Sequence, residues 1–147
     1  MSDIVAYTDG GSHGNPGPGG WAFVIESSHG LVERFGADPH TTNNKMELSA
    51  VISALQYVAE HYPDQLVTIR TDSQYVRNGI TSWIKTWVKN GWRTAAKKPV
   101  KNQDLWRVLY DLDQRLHASW EWVKGHAGNE LNERCDQLVQ NAIATVE

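Results

Sequence analysis

The chain of 147 residues has a single cysteine, Cys135, and no run approaching the roughly 18 consecutive apolar residues that a membrane-spanning helix needs. One thiol excludes an internal disulfide and, alone, a thiolate metal cluster, which fits a reducing cytoplasm. The opening MSDIVAYTDGG has no basic stretch followed by an apolar one, so no secretion signal and no membrane contact are expected. The glycine-rich run Gly10 to Gly20 (GGSHGNPGPGG) lacks a Gly-Lys-Ser/Thr ending and is not followed by a helix pattern, which excludes a nucleotide-binding P-loop. A tight hairpin that lets a ligand approach the backbone closely fits it better.

Acidic residues are missing from one long stretch. Between Ser73 and Gln103 there is no Asp or Glu, while Arg77, Lys85, Lys89, Arg93, Lys97, Lys98 and Lys101 supply half of the fourteen basic residues. The net charge of -3 argues, taken alone, against a nucleic-acid partner, because phosphate binding wants a positive field. The distribution reverses that impression: outside the basic stretch seventeen acids face seven bases, a net of -10. One side of the molecule suits phosphate, the other cations.

At this length and 40% hydrophobic content, one domain spanning residues 1–147 is expected. Residues 4–8 (IVAYT), 21–26 (WAFVIE) and 31–35 (LVERF) read as three strands of an antiparallel meander. From Asn43 the apolar spacing becomes helical, through Leu48, Val51, Ile52, Leu55 and Val58, with an Asn as the cap candidate, and Pro63 marks the end. Residues 66–71 (LVTIRT) return to a strand, and a strand-helix-strand order implies a parallel pairing by a right-handed crossover. The class is therefore α/β. Two short helices up to Asn90 and an irregular stretch from Gly91 to Pro99 read as a protrusion more than as core. A helix through Leu105, Val108, Leu109, Leu112 and Leu116, a strand over 119–123 (SWEWV) and a helix carrying Cys135, Leu138, Val139 and Ala142 complete the chain.

Asp9 and Asp72 each directly follow a predicted strand, and open α/β sheets bind ligands beyond the carboxyl ends of their strands. Either Asp alone is more often a turn or cap residue; two such ends side by side would bring two carboxylates together. Glu47, early in its helix, and Asp136, beside apolar Cys135, are each by themselves ordinary solvated helix positions. Crowded carboxylates repel, so a cluster persists with bound cations, and an all-oxygen set selects magnesium, manganese or calcium over zinc. His126, between Gly125 and Gly128 in KGHAGN, suits a proton shuttle, with a surface turn as the bland alternative. Trp83, Trp87 and Trp92 interleave with Lys85, Lys89 and Arg93, which combines stacking faces with phosphate-seeking cations, although such tryptophans also serve as core.

The phrases YTDGG, GNPGPGG, TTNNKMEL, TDSQYV, WVKGHAG and NERCDQL, in this order over nearly the whole chain, resemble bacterial ribonuclease HI. The resemblance implies a ribonuclease H-like fold, a five-stranded mixed sheet of three antiparallel strands and then parallel additions, flanked by helices, with a basic handle over about 82–101. It implies an endonuclease that cuts the RNA strand of an RNA-DNA hybrid, leaving 5'-phosphate and 3'-hydroxyl ends, and a monomer. Matched by motif, Asp9, Glu47, Asp72 and Asp136 correspond to the catalytic, metal-binding carboxylates and His126 to the catalytic histidine. Two magnesium ions are expected with substrate bound, with manganese as a substitute. Asn15, Asn43, Asn44 and Gln74 are similar to the RNA-side contacts and Thr42 to the residue that grips a DNA phosphate. Trp83, Lys85, Lys89, Trp92, Lys97 and Lys98 would line the DNA channel. Leu131 interrupts the polar stretch before NERCD, away from any expected catalytic group. The rival readings are a non-catalytic module binding hybrid or double-stranded RNA, and an ATP-using phosphotransferase; for the latter the chain is short and has no second lobe.

Overall fold

The computed structural model describes residues 4–123 and 130–147. Its strands are β1 (Ile4–Ser12), β2 (Gly17–Ser27), β3 (Gly30–Thr41), β4 (Val67–Thr71) and β5 (Ser119–Trp122), in the order β3-β2-β1-β4-β5. The β3-β2 and β2-β1 pairings are antiparallel, and β1-β4 and β4-β5 are parallel. This is the mixed five-stranded sheet that the sequence leads one to expect.

The helices are α1 (Asn43–His61), α2 (Gln74–Asn78), α3 (Ile84–Lys89), α4 (Gln103–Leu116) and α5 (Glu130–Ala144). Both sheet faces are covered because β1 and β2 carry apolar side chains in both directions. Ile4, Ala6, Phe23 and Ile25 pack with Leu48, Val51 and Leu55 of α1 and Leu109 of α4. Tyr7, Ala22 and Val24 turn the other way, onto Cys135, Leu138, Val139 and Ile143 of α5. Burying each such aliphatic side chain contributes about 1.5–3 kcal/mol relative to exposure.

Two expectations are corrected. The first three strands run well past their apolar cores, because the glycines of 10–20 stay in the ladder on both arms of the hairpin; Asp9 pairs with Ala22 and Ser12 with Gly19. Pro39 sits within β3, where a missing N–H is tolerated because β3 is an edge strand. The cap of α1 is Thr42, not an Asn: its hydroxyl accepts the Lys45 N–H at 3.2 Å.

The basic segment holds the two short helices expected of it, α2 and α3, with a π-helical turn at Gly79–Trp83 joining them into one continuous rod over 74–89. It departs from its sequence reading in not being mere protrusion, since Ile80, Ile84, Trp92 and Val100 join the main core. The rod approaches α4 closely at Gly79, where a Cβ would come within 2.0 Å of the Trp106 ring. Beyond Gly91, the Trp92 N–H bonds the Trp87 carbonyl at 2.6 Å and Val100 N–H bonds Trp92 carbonyl at 3.1 Å, which closes the excursion on itself.

Candidate active site

Asp9 shares its side of β1 with Tyr7, the side on which α5 packs. The parallel ladder pairs Tyr7 with Arg70, so Asp9 and Asp72 each lie two residues further along their strand directions, and Asp72 falls just past the end of β4. Asp136 follows Cys135, whose thiol donates to the Tyr7 carbonyl at 3.3 Å, so α5 crosses β1 close to Asp9. Glu47 is brought in by a close helix-strand contact. A Cβ on Gly10 would lie 2.4 Å from the Met46 carbonyl carbon and 2.5 Å from the Glu47 nitrogen, so only glycine lets the start of α1 rest on β1.

The four carboxylates are half-buried and mutually repulsive. Burial, then the charges of Asp72 and Asp136 and, least, of Glu47, push the Asp9 carboxyl up to about 8, although the Gly10 N–H bonds it at 2.9 Å. Burial raises Glu47 to about 7, with the Asp72 charge adding to it and the Ser73 hydroxyl opposing. Among the described residues no three His, Cys, Asp or Glu side chains stand in ready-made ligand geometry. The cluster is thus loose, coupled through charge rather than shared contacts. Burial also pushes the Cys135 thiol up, which leaves it a packing residue.

Two residues that the sequence did not flag support this group. Ser73 caps α2 by accepting the Val76 N–H at 3.1 Å, and the same hydroxyl donates to Glu47. Its signal was present: a Ser just ahead of a helix is a common cap. Trp122, 40% exposed on an edge strand, donates its indole N–H to the Asp72 carbonyl at 3.2 Å, which no spacing rule anticipates. Arg70 reaches Tyr7 at 2.7 Å and Glu121 at 2.9 Å, tying together β1, β4 and β5.

The remaining expected residues divide by location. Asn15 accepts the Asn43 N–H at 3.2 Å and Asn43 accepts the Ser12 N–H at 2.7 Å, which joins the hairpin tip to the start of α1, where Thr42 and Asn44 also lie. Gln74 is exposed at the start of α2, two residues after Asp72. Trp83 is 39% exposed and rests against Tyr75 and Trp87. Trp92 is instead only 9% exposed, with the Arg107 guanidinium over its ring and Tyr110 at its edge, so it braces the handle rather than offering a stacking face. Lys85 and Lys89 line a groove against Tyr110 and Asp113 of α4, while Lys97 and Lys98 are exposed on the excursion. His126 lies outside the described residues.

Set against known proteins, residues 1–144 match the family model for RNase H. The chain belongs to the RNase H family. Ribonuclease H of Nitrobacter hamburgensis is 52% identical over 144 residues, covering 98% of this chain and 93% of that one. Ribonuclease H of Roseobacter denitrificans is 48% identical, covering 98% and 97%. Among solved structures, LC9-RNase H1, described as a type 1 RNase H with the type 2 active-site motif, superposes with a TM-score of 0.85 at 29% identity, covering 100% of this chain and 75% of that chain. LC11-RNase H1, solved in complex with an RNA/DNA hybrid, gives 0.74 at 26% identity, with 97% of each chain covered. This RNase H is therefore an enzyme of the ribonuclease class, built on that family's sheet.

Proposed function

We propose that this RNase H is an endoribonuclease that hydrolyses the RNA strand of RNA-DNA hybrids with divalent-metal assistance, leaving 5'-phosphate and 3'-hydroxyl ends. The observation that carries the reading is the convergence of Asp72, Asp136 and Glu47 on half-buried Asp9, whose carboxyl is pushed up to about 8 by burial first and by their charges second. Such repulsion is relieved by cations, and the donors are all hard oxygens, which suits magnesium or manganese.

Asp9, Glu47, Asp72 and Asp136 would hold the ions. When bound, magnesium supplies a lowered pKa for an attacking water and charge neutralisation at the departing 3'-oxygen. The chain's own residues supply orientation. Ser73 fixes one Glu47 oxygen, and Gly10 keeps α1 close enough for Glu47 to reach the cluster. We assign His126 to proton transfer or product release, since a hard-cation site prefers oxygen ligands.

Recognition follows from the same layout. Asn15, Asn43, Asn44 and Gln74 flank the carboxylates with amide groups able to read 2'-hydroxyls, which distinguish RNA from DNA. Thr42, Trp83, Lys97 and Lys98 take the deoxy strand, through a phosphate contact, a stacking face and backbone charge. LC11-RNase H1, solved with a hybrid and similar along 97% of this chain, supports that partner.

The deciding experiment incubates labelled RNA-DNA hybrid, RNA duplex, DNA duplex and single strands with the protein, with and without magnesium. Cleavage confined to the RNA strand of the hybrid, only with the metal, is the expected result. Binding without cleavage would replace the reading with a non-catalytic module.

A further inference from the structure

The ladder of β4 ends at Thr71, which pairs with Trp122 and whose carbonyl accepts the Val123 N–H at 2.9 Å. Asp72 is the next residue, past the last rung and before the Ser73 cap. Among the described residues its backbone carbonyl accepts from the Trp122 indole N–H, 3.2 Å away, and from no backbone donor. The Trp122 ring is 40% exposed, so core packing does not fix it. The Arg77 guanidinium lies 5.2 Å over that ring and has no carboxylate partner among the described residues. A small cavity lined by Thr71, Arg77, Thr81 and Trp120 adjoins the ring.

We propose that Trp122 is a positioning residue for Asp72, with its indole held in place by the stacked Arg77. The inference rests on the reading of Asp72 as a metal ligand. The bond to the carbonyl fixes the peptide plane after Asp72, and so the backbone from which its carboxylate projects. Arg77 belongs to the same rod whose cap, Ser73, bonds Glu47. The rod therefore braces two of the four carboxylates by separate routes, one through a hydroxyl and one through a ring. Removing an outer group that orients a metal ligand typically changes affinity or activity by about 10–100-fold.

The test is an NMR titration of the substrate-free protein with magnesium, alongside steady-state kinetics on hybrid and a melting curve. Trp122→Phe keeps a ring beneath Arg77 but loses the N–H. It should weaken magnesium binding about tenfold and lower kcat comparably, with KM for hybrid unchanged. Arg77→Met, which leaves the indole in place but unbraced, should move both quantities in the same direction by less, and it serves if Trp122→Phe does not fold. A lowered melting temperature with unchanged magnesium affinity in both variants would reduce Trp122 to a packing role and overturn the proposal. Asp72→Asn separates the two levels of failure. If it binds magnesium as tightly as the parent, the metal reading of Asp72 falls and the positioning role with it. If it loses magnesium while Trp122→Phe does not, only the positioning role falls.

Discussion

Asp9 and Asp72 each lie two residues beyond Tyr7 and Arg70, the last pair of the parallel β1-β4 ladder, and the Asp72 charge helps push the Asp9 carboxyl up. The parallel register carries both chains to the same end of the ladder, which brings two carboxylates together, and β1 carries Asp9 under α5 and Asp136.

Asp9→Asn keeps the shape and removes the charge at the centre of the cluster. Turnover on hybrid should fall by about a thousandfold or more, because several kcal/mol of transition-state stabilisation would depend on the metal that the proposal assigns to this charge. Hybrid affinity, measured by anisotropy, should stay within a few-fold, since the proposed metal-holding role of Asp9 leaves the recognition residues in place. Undiminished magnesium-dependent cleavage by pure Asp9→Asn protein would sink the assignment.

The same substitution should stabilise the metal-free protein at alkaline pH. With the Asp9 carboxyl near 8 in the folded state and roughly 4 when unfolded, the native state binds the extra proton between those values. The contribution of Asp9 to stability is therefore fully present below about pH 4 and is lost as pH rises through about 8. Asp9→Asn removes that decline, so at pH 8.5 without divalent cations it should melt several degrees higher than the parent. Saturating magnesium should narrow the gap. Parallel stability-pH curves for the two proteins would refute the burial argument.

Gly10→Ala and Gly11→Ala form a matched pair. The first would drive a Cβ to 2.4 Å from the α1 backbone, whereas the second would meet nothing nearer than the Asn43 side-chain oxygen at 3.7 Å. Overpacking of this kind costs about 1–3 kcal/mol, and here it also displaces Glu47. Denaturant melts and turnover should both separate the pair; equal tolerance would mean that α1 is free to move.

Replacing Lys97 and Lys98 with Ala should flatten the log-log salt dependence of hybrid binding by up to about one unit for each phosphate no longer neutralised. Replacing Lys85 and Lys89, which line the α4 groove, should flatten it less. The reverse ranking would put the hybrid on the α4 side of the rod.

His126→Ala should slow turnover by about a hundredfold to ten-thousandfold while sparing magnesium affinity. A loss of magnesium binding as severe as that of Asp9→Asn would make the histidine a ligand or the positioner of one.

The main elements and their order were legible because apolar periodicity and turn chemistry are local signals. The strand ends were not, since the glycines around Asp9 pair by virtue of their neighbours rather than their own propensity. Asp72 was readable as a strand-end carboxylate, whereas Asp9 falls inside β1 instead of after it; the Ser73 contact to Glu47 and the Trp122 contact to Asp72 were not readable, because the partners lie 26 and 50 residues away. Trp92 misled for a related reason. Its spacing among basic residues matched a stacking surface, while a backbone turning through positive φ at Gly91 and Trp92 folded it inward.

The Cys135 thiol, fully buried between α5 and β1 and held protonated, is also a built-in clock for local opening. A thiol reagent can modify it only while α5 lifts from the sheet, so the labelling rate reports how often that happens. Since Asp136 is the next residue on the same helix, any cation that draws the carboxylates together should slow labelling well before it alters the melting point.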